Sequence, residues 1–329
     1  MSAATKLQPP NVSVVVPTYR RPDLLMRCLT ALLAQTLPAD RYEILVCDDG
    51  PDPAVQSLLE RVAREHGRPL RYLPVTATQG PAGARNQGWR AARAPVVAFT
   101  DDDTVPDPGW LEAGLAAMAP GVDAVTGRVI MPLPDPPTDY ERDAGRLGQA
   151  EFVTANCFLR REALERLGGF DERYSQAWRE DSDLHFSLLE QGCRIERAPQ
   201  AIVVHPFRPV RFAAGLSMQR KVMFDALLYR KHRQYYRQRI RRRPPWLYLL
   251  ITGAALAVPV CLLAGWPAAA TLAAGAWLAL TLGFFLRRLR GTARGARNVA
   301  DLALTSALIP LLSIFWRIVG AWRFGRVAP

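Results

Sequence analysis

From Pro244 to Leu286 the chain carries no charged residue, a run of 43 positions. One helical crossing of a bilayer takes about 20 apolar residues, so this run suits two. Gly265-Trp266-Pro267 falls in its middle and reads as a turn. Two spans are expected, near 246–265 and 267–286. A buried helical hairpin is the alternative, and a charge-free run this long argues against it. Arg237, Arg239, Arg241, Arg242 and Arg243 precede the hairpin; Arg287, Arg288, Arg290, Arg294 and Arg297 follow it. Positive residues stay on the cytoplasmic side, so both flanks are expected inside and the turn outside. A further apolar stretch, 302–316, contains Pro310 and is closed by Arg317. It fits an interfacial or re-entrant helix over about 300–320 better than a third crossing.

The net charge of +12 is gathered at this end of the chain. From Arg230 onward there are 16 Lys/Arg and one acid, Asp301, whereas residues 1–229 carry 26 Lys/Arg and 29 Asp/Glu. The basic surplus beside the spans, Arg237–Arg243 and Arg287–Arg297, points to anionic membrane lipid as partner, not to nucleic acid. Cys28, Cys47, Cys157, Cys193 and Cys261 are scattered and lack metal-ligand spacing. They suit a reduced, cytosolic domain. Residues 1–6 show no apolar h-region, so no signal peptide is expected. The expected order is a tail over 1–10, a soluble domain over 11–229, a basic linker over 230–245 and a membrane region over 246–329. The expected location is the inner (plasma) membrane, multi-pass, with the soluble domain in the cytoplasm.

In the soluble half, apolar runs alternate with helical patterns. Val12-Ser13-Val14-Val15-Val16 reads as a strand closed by Pro17-Thr18-Tyr19. Leu25, Cys28, Leu29, Leu32 and Leu33 then recur at helical spacing. Tyr42 to Cys47 is a second strand, ending in Asp48-Asp49-Gly50, and a helical pattern runs through 55–65. Gly80-Pro81-Ala82-Gly83 leads into a helix carrying Arg85 and Asn86. Such alternation predicts a parallel α/β sheet, which binds ligands outside the carboxyl ends of its strands. Asp48/Asp49 fall at one such end, although Asp-Asp-Gly also suits a plain turn.

A third strand, Pro95 to Phe99, runs into Asp101-Asp102-Asp103. Three adjacent carboxylates are costly to crowd together unless a cation neutralises them. Oxygen ligation of that kind suits Mg²⁺ or Mn²⁺, an ion that serves phosphorylated substrates. An acidic loop or a helix cap at Asp103 is the bland alternative. Glu180, Asp181 and Asp183 open another helical run, where acids also satisfy the helix dipole. His205 closes the apolar run Ala201 to Val204, where a polar residue at a strand edge is the plain reading.

The ordered set Val14-Val15-Val16-Pro17-Thr18-Tyr19, Asp48-Asp49-Gly50, Arg85-Asn86 and Asp101-Asp102-Asp103 resembles the family 2 glycosyltransferases of the GT-A fold. Asn156, Arg160-Arg161, Leu167 to Glu172 and Glu180-Asp181-Ser182-Asp183 resemble that family's later segments. The resemblance covers roughly residues 11–210. It implies a Rossmann-like, mostly parallel sheet followed by the membrane hairpin. It further implies that Pro17, Thr18, Tyr19, Asp48, Asp49, Arg85, Asn86, Asp101, Asp102, Asn156 and Glu180 line a nucleotide-sugar site. Asp101, Asp103 and His205 would hold Mn²⁺ or Mg²⁺, with Asp103 the first choice for direct contact and Asp101 acting through water or ribose. Asp181 would be the general base of an inverting transfer.

The processive members' Gln-x-x-Arg-Trp motif is missing: Gln219-Arg220-Lys221-Val222-Met223 lacks its spacing and tryptophan. One sugar per acceptor is therefore expected. The implied partners are a nucleoside-diphosphate sugar (UDP-linked by family preference) and a membrane-associated acceptor, a polyprenyl-linked sugar or glycolipid. A polyprenyl-phosphate glycosyltransferase is the near alternative, since a phosphate acceptor needs no base. A sugar nucleotidyltransferase fits less well, because Pro17-Thr18-Tyr19-Arg20-Arg21 stands where its Gly-rich loop would be. A non-catalytic membrane scaffold is disfavoured by the intact Asp101–Asp103 and Asp181. The sugar, the acceptor and the oligomeric state are left open.

Overall fold

The computed structural model describes residues 9–329. Of the tail expected over 1–10, residues 1–8 lie outside the described residues. Two compact units emerge: one runs to Pro132 and resumes over Leu147–Pro206, and the other joins Leu133–Arg146 to Phe207–Pro329. The second unit thus begins well before 229. The reason is packing: within it Asp225 pairs with Arg317 at 3.2 Å, and Met223 backbone closes on Gly320.

The first unit holds eight strands: β1 (Val12–Thr18), β2 (Tyr42–Asp48), β3 (Arg71–Pro74), β4 (Val96–Phe99), β5 (Val105–Pro106), β6 (Ala124–Ile130), β7 (Cys157–Arg160) and β8 (Ile195–Val204). Their order across the sheet is β3-β2-β1-β4-β7-β6-β8-β5. The first four are parallel, as the alternation predicts. The other half is mixed: β7 runs antiparallel to both β4 and β6, β8 is parallel to β6, and β5 is antiparallel to β8.

Helices cover both faces: α1 (Pro22–Leu33), α2 (Pro53–Glu65), α3 (Pro81–Ala91) and α4 (Trp110–Ala117). Pro22, Pro53 and Pro81 open the first three of these, where a missing N–H costs nothing. Strand residues alternate between two cores. Val14, Val16, Ile44 and Val46 pack with Leu25, Cys28, Leu29 and Leu32 of α1. Val15, Cys47, Val97 and Phe99 face Ala82, Ala84 and Trp89 of α3. Gly88 lets α3 lie directly on the sheet, since a Cβ there would strike Val15 and Cys47. Two further helices, α6 (Arg161–Leu167) and α7 (Glu180–Glu190), complete this unit.

The second unit contains α5 (Asp139–Ala144), capped by the Thr138/Glu141 box, and α8 (Ala214–Met218), α9 (Phe224–Lys231) and α10 (Arg233–Tyr235). A π-helical turn, Tyr236–Ile240, follows. Then come α11 (Trp246–Leu263), α12 (Pro267–Leu289) and α13 (Ala296–Phe324), each long and apolar enough to cross a membrane. The first two match the expected hairpin. The third is longer than the expected 300–320 and continues through both Pro310 and Arg317. Arg317 does not close it because its charge is paired with Asp225.

Candidate active site

Parallel pairing sets Thr18 opposite Asp48, and the turn after Phe99 delivers Asp101–Asp103 to the same end of the sheet. Thr18 Oγ1 donates to Asp102 Oδ2 at 2.8 Å, and Arg21 lies 3.4 Å from Asp102 Oδ1. Asp102 is buried; burial pushes its carboxyl up to about 6, against the Thr18 hydrogen bond and the Arg21 charge. Asp102 and Thr18 therefore hold β1 to the aspartate turn. Both were expected to line a nucleotide site; here both are buried and bonded to each other.

The outer two aspartates meet a distant residue. β8 pairs with β5, matching Val204 to Val105, and so carries His205 to the turn. His205 Nε2 lies 3.5 Å from Asp103 Oδ1, and donor atoms of Asp101, Asp103 and His205 all fall within 4.8 Å of one another. His205 Nδ1 faces the Pro206 carbonyl at 3.4 Å. With the proton on that nitrogen, Nε2 presents a lone pair to the carboxylates. Two carboxylate oxygens and one imidazole on so short a span fit one divalent ion.

Asp48 and Asp49 each use one oxygen and keep one. Asp48 Oδ2 accepts from Asp52 N at 2.8 Å and Tyr72 OH at 3.0 Å, and Asp49 Oδ2 accepts from Gly80 N at 2.8 Å. The other oxygens are buried without a hydrogen-bond partner. Burial holds both carboxyls above the ordinary range, those hydrogen bonds opposing it. A buried orphan acceptor is expensive, so each of these oxygens marks a place for a ligand donor. Tyr19 lies half exposed over Gly50, where φ is +118° and a Cβ would approach its ring to 2.9 Å. Pro17 lies on the same strand, opposite Cys47.

Glu180 and Asp181 open α7 behind Arg179, which holds a left-handed φ of +74°. A left-handed arginine costs energy, and such outliers gather at functional sites. Thr154 Oγ1 donates to Asp181 Oδ1 at 2.6 Å. Burial raises the Asp181 carboxyl; Arg85 and Thr154 pull it back. Burial first, then the Asp181 charge, raises Glu180 further. Arg85 is buried and reaches both ends of the site, 2.7 Å from Asp101 Oδ1 and 3.4 Å from Glu180 Oε1. It is thus held between carboxylates, where the sequence suggested a place beside the diphosphate.

Two expected site residues do other work. Asn156 is fully buried; its Oδ1 accepts from Trp110 Nε1, and its Nδ2 donates to the Arg128 and Ala201 carbonyls. Asn86 joins α3 to the segment before α7, bonding Phe170 N and O, Glu172 and Trp89. Both amides are saturated by protein, so neither is offered to a ligand. Sequence reasoning missed Thr154, Tyr72 and Arg21. Each lies close to the site only through contacts 24 or more residues away along the chain, and nothing local marks them.

Comparison with known proteins bears on this geometry. The profile of "Glycosyl transferase family 2" matches residues 13–168, and that of "Glycosyl transferase family group 2" matches 96–286. Among curated relatives, Glycosyltransferase AglE of Haloferax volcanii is 29% identical over 61% of this chain and 68% of its own length. Pre-mycofactocin glycosyltransferase of Mycobacterium tuberculosis is 31% identical over 60% of this chain, but the match spans only 43% of that protein. Among solved structures, mannosyltransferase PcManGT of Pyrobaculum calidifontis, in complex with GDP-Man and Mn²⁺, superposes with a TM-score of 0.54. That pair is 24% identical, covering 91% of this chain and 87% of the other.

Proposed function

Because the chain belongs to the family 2 glycosyltransferases, with the GT-A fold, we propose that it moves a sugar, with inversion, from a nucleoside-diphosphate donor to a hydroxyl of a membrane-associated acceptor. The observation that carries this is the meeting of Asp101, Asp103 and His205 with the Glu180–Asp181 pair at the carboxyl end of the sheet, Arg85 bonding Asp101 and Glu180. The free oxygens of Asp48 and Asp49 accept from the base or ribose, and Pro17 and Tyr19 flank the base. Asp101, Asp103 and His205 hold Mn²⁺ or Mg²⁺, as the Mn²⁺ of the mannosyltransferase PcManGT suggests. Such an ion neutralises charge on the departing nucleoside diphosphate.

Asp181 takes the proton from the acceptor hydroxyl as its oxygen attacks the anomeric carbon. Thr154 occupies Oδ1, which leaves Oδ2 to face the acceptor. Burial and the neighbouring Asp181 charge raise the Glu180 carboxyl. A single base and a direct displacement invert the anomeric centre. The apolar helices support an acceptor at the membrane, and the arginines flanking them support a cytoplasmic catalytic side.

The test is a donor panel. Membranes bearing the protein, Mn²⁺ and labelled nucleotide sugars should give a lipid-extractable sugar product from one donor. Asp181→Asn should lower transfer about 10²- to 10⁴-fold while sparing donor binding. An Asp181→Asn enzyme of undiminished rate would favour a phosphate acceptor, which needs no base.

A further inference from the structure

Asp48 and Asp49 are held in different ways. Asp49 Oδ2 accepts from Gly80 N at 2.8 Å, a backbone group. Asp48 Oδ2 accepts twice, from Asp52 N at 2.8 Å and from Tyr72 OH at 3.0 Å. Asp52 is itself fixed, because its carboxylate caps α2 by accepting from Ala54 N at 2.9 Å. A backbone donor is indifferent to the side chain it belongs to. The Tyr72 hydroxyl is a side-chain donor, so this bond exists only because a tyrosine stands there.

Strand register explains the reach. β3 pairs in parallel with β2, matching Tyr72 to Val46 and Pro74 to Asp48. Residues two apart on a strand share a face, so Tyr72 and Asp48 are diagonal neighbours on one face. A short hydroxyl would not span that diagonal; a phenol does. The half-buried Tyr72 ring packs against the core that contains Val46, while Leu73 turns to the other core. Burial, and then the Asp48 carboxylate, pushes the phenol up to about 12, so it keeps its proton and donates.

Two donors on one oxygen fix the rotation of the carboxylate and give the other oxygen a set direction. That other oxygen, Asp48 Oδ1, is buried without a hydrogen-bond partner. An ionised carboxylate accepts and does not donate. Uracil and guanine carry a ring N–H on the Watson–Crick edge; cytosine and adenine carry a ring acceptor there. A fixed carboxylate oxygen gains a bond from the first pair and meets a lone pair on the second. Sites built to bond an N–H reject analogues that lack it, as long as the acceptor cannot swing away. We propose that Tyr72 is a positioning residue for base selection, its hydroxyl holding Asp48 so that the free oxygen meets the ring N–H of a uracil or guanine nucleotide. Tyr72 acts through Asp48 and does not itself touch the base. This role deepens the nucleotide-sugar reading and rests on it for the presence of a base.

The test is calorimetry on the full chain in detergent with Mn²⁺, titrated with UDP, GDP, CDP and ADP. Wild type should bind UDP or GDP about tenfold or more tightly than CDP and ADP. Tyr72→Phe keeps the ring and removes the hydroxyl. It should weaken the favoured nucleotide about tenfold and the disfavoured ones little, so that the ratio collapses. A ratio of affinities reports only on folded protein, so partial loss of the fold does not imitate this result. Asp48→Ala should lose the same selectivity, and adding Tyr72→Phe to it should change nothing further. In transfer assays Tyr72→Phe should raise donor KM and leave kcat little altered. An equal loss for all four nucleotides would make Tyr72 merely structural and overturn the proposal. Undiminished selectivity, or additive effects in the double variant, would also overturn it. Wild type that selects UDP or GDP yet transfers no sugar would remove the proposed function and leave the role of Tyr72 standing, whereas binding of none of the four would remove both.

Discussion

Asp181 is held by Thr154, through its hydroxyl and its backbone. Thr154 is fully buried, donates at 2.6 Å, and has no charge of its own to contribute. Its effect is to fix the carboxylate and to stabilise the ionised form. Burial raises the Asp181 carboxyl above the ordinary carboxylate range, and Arg85 and Thr154 oppose that rise. A base must be ionised to act, so transfer fails as pH falls through this raised value. Removing the hydroxyl raises it further. Thr154→Val should therefore move the acidic limb of the pH–rate profile to higher pH and lower kcat about tenfold, with donor KM unchanged; Thr154→Ser should restore both. A uniform loss at all pH values would mean that Thr154 only supports the fold. The aspartate turn makes a second contrast. His205→Ala and Asp103→Ala should abolish Mn²⁺-dependent donor binding, read by calorimetry. Asp102→Asn should keep that binding and lower the melting temperature, because Asp102 is turned inward to Thr18. Which aspartates stand at strand ends was legible, since an apolar run followed by carboxylates is a local pattern. The inward turn of the middle one was not. It depends on Thr18 and Arg21, 84 and 81 residues away. The same distance hid the structural duties of Asn86 and Asn156.

At the scale of elements, the parallel half of the sheet could be read from its alternating runs and helical stripes. The mixed half could not. β5 has two residues, and nothing in the sequence of β7 says that its partners run the other way. A period of two reports which face a side chain takes, not which strand lies beside it. One cluster shows what holds the parallel half at its amino-terminal edge. Glu43 of β2 accepts from Ser13 Oγ of β1 at 2.7 Å, pairs with Arg71 of β3 at 2.9 Å, and receives the Arg93 backbone N–H and guanidinium. Burial alone would raise this carboxyl; the Ser13, Arg93 and Arg71 contacts outweigh it and hold it below the ordinary range. A depressed carboxyl contributes stability that is complete above its unfolded value and is lost as pH falls through its folded value. Glu43→Gln leaves Arg71 and the largely exposed Arg93 facing a neutral amide and should cost about 1 kcal/mol. In detergent, its melting temperature should fall below that of wild type at neutral pH, and the gap should narrow in acid. A gap that does not narrow would separate the cluster from the ionised carboxylate.

On the scale of the whole molecule, the question is which side of the membrane each segment occupies. The charge-free run announced α11 and α12, because length and composition alone decide whether a helix suits a bilayer. α13 is harder, since it also has the length to cross. Its contacts favour a helix that does not cross. Asp301, near its start, accepts from Ala213 N at 2.6 Å. Near its end, the Phe324 ring lies tilted against Phe224 at 6.1 Å and its carbonyl accepts from Arg230. Between these points Arg317 pairs with Asp225. The helix thus lies along residues 213–230 from end to end, and that segment carries Arg220, Lys221 and Arg230. A crossing would draw those charges into the hydrocarbon, at several kcal/mol each. The opposite side of α13 exposes Leu304, Leu308, Phe315, Ile318 and Trp322. Their spacing of three, four and seven makes one stripe, as on a helix lying in the headgroup plane. Both ends of α13 should then face the cytoplasm. In inverted and right-side-out vesicles, a membrane-impermeant maleimide should label Ala264→Cys, at the α11–α12 turn, only from outside. Val327→Cys, beyond α13, should be labelled only from the cytoplasmic face. Labelling of Val327→Cys from outside would make α13 a third span and would carry Arg323 and Arg326 across with it, against the charge bias of every other flank.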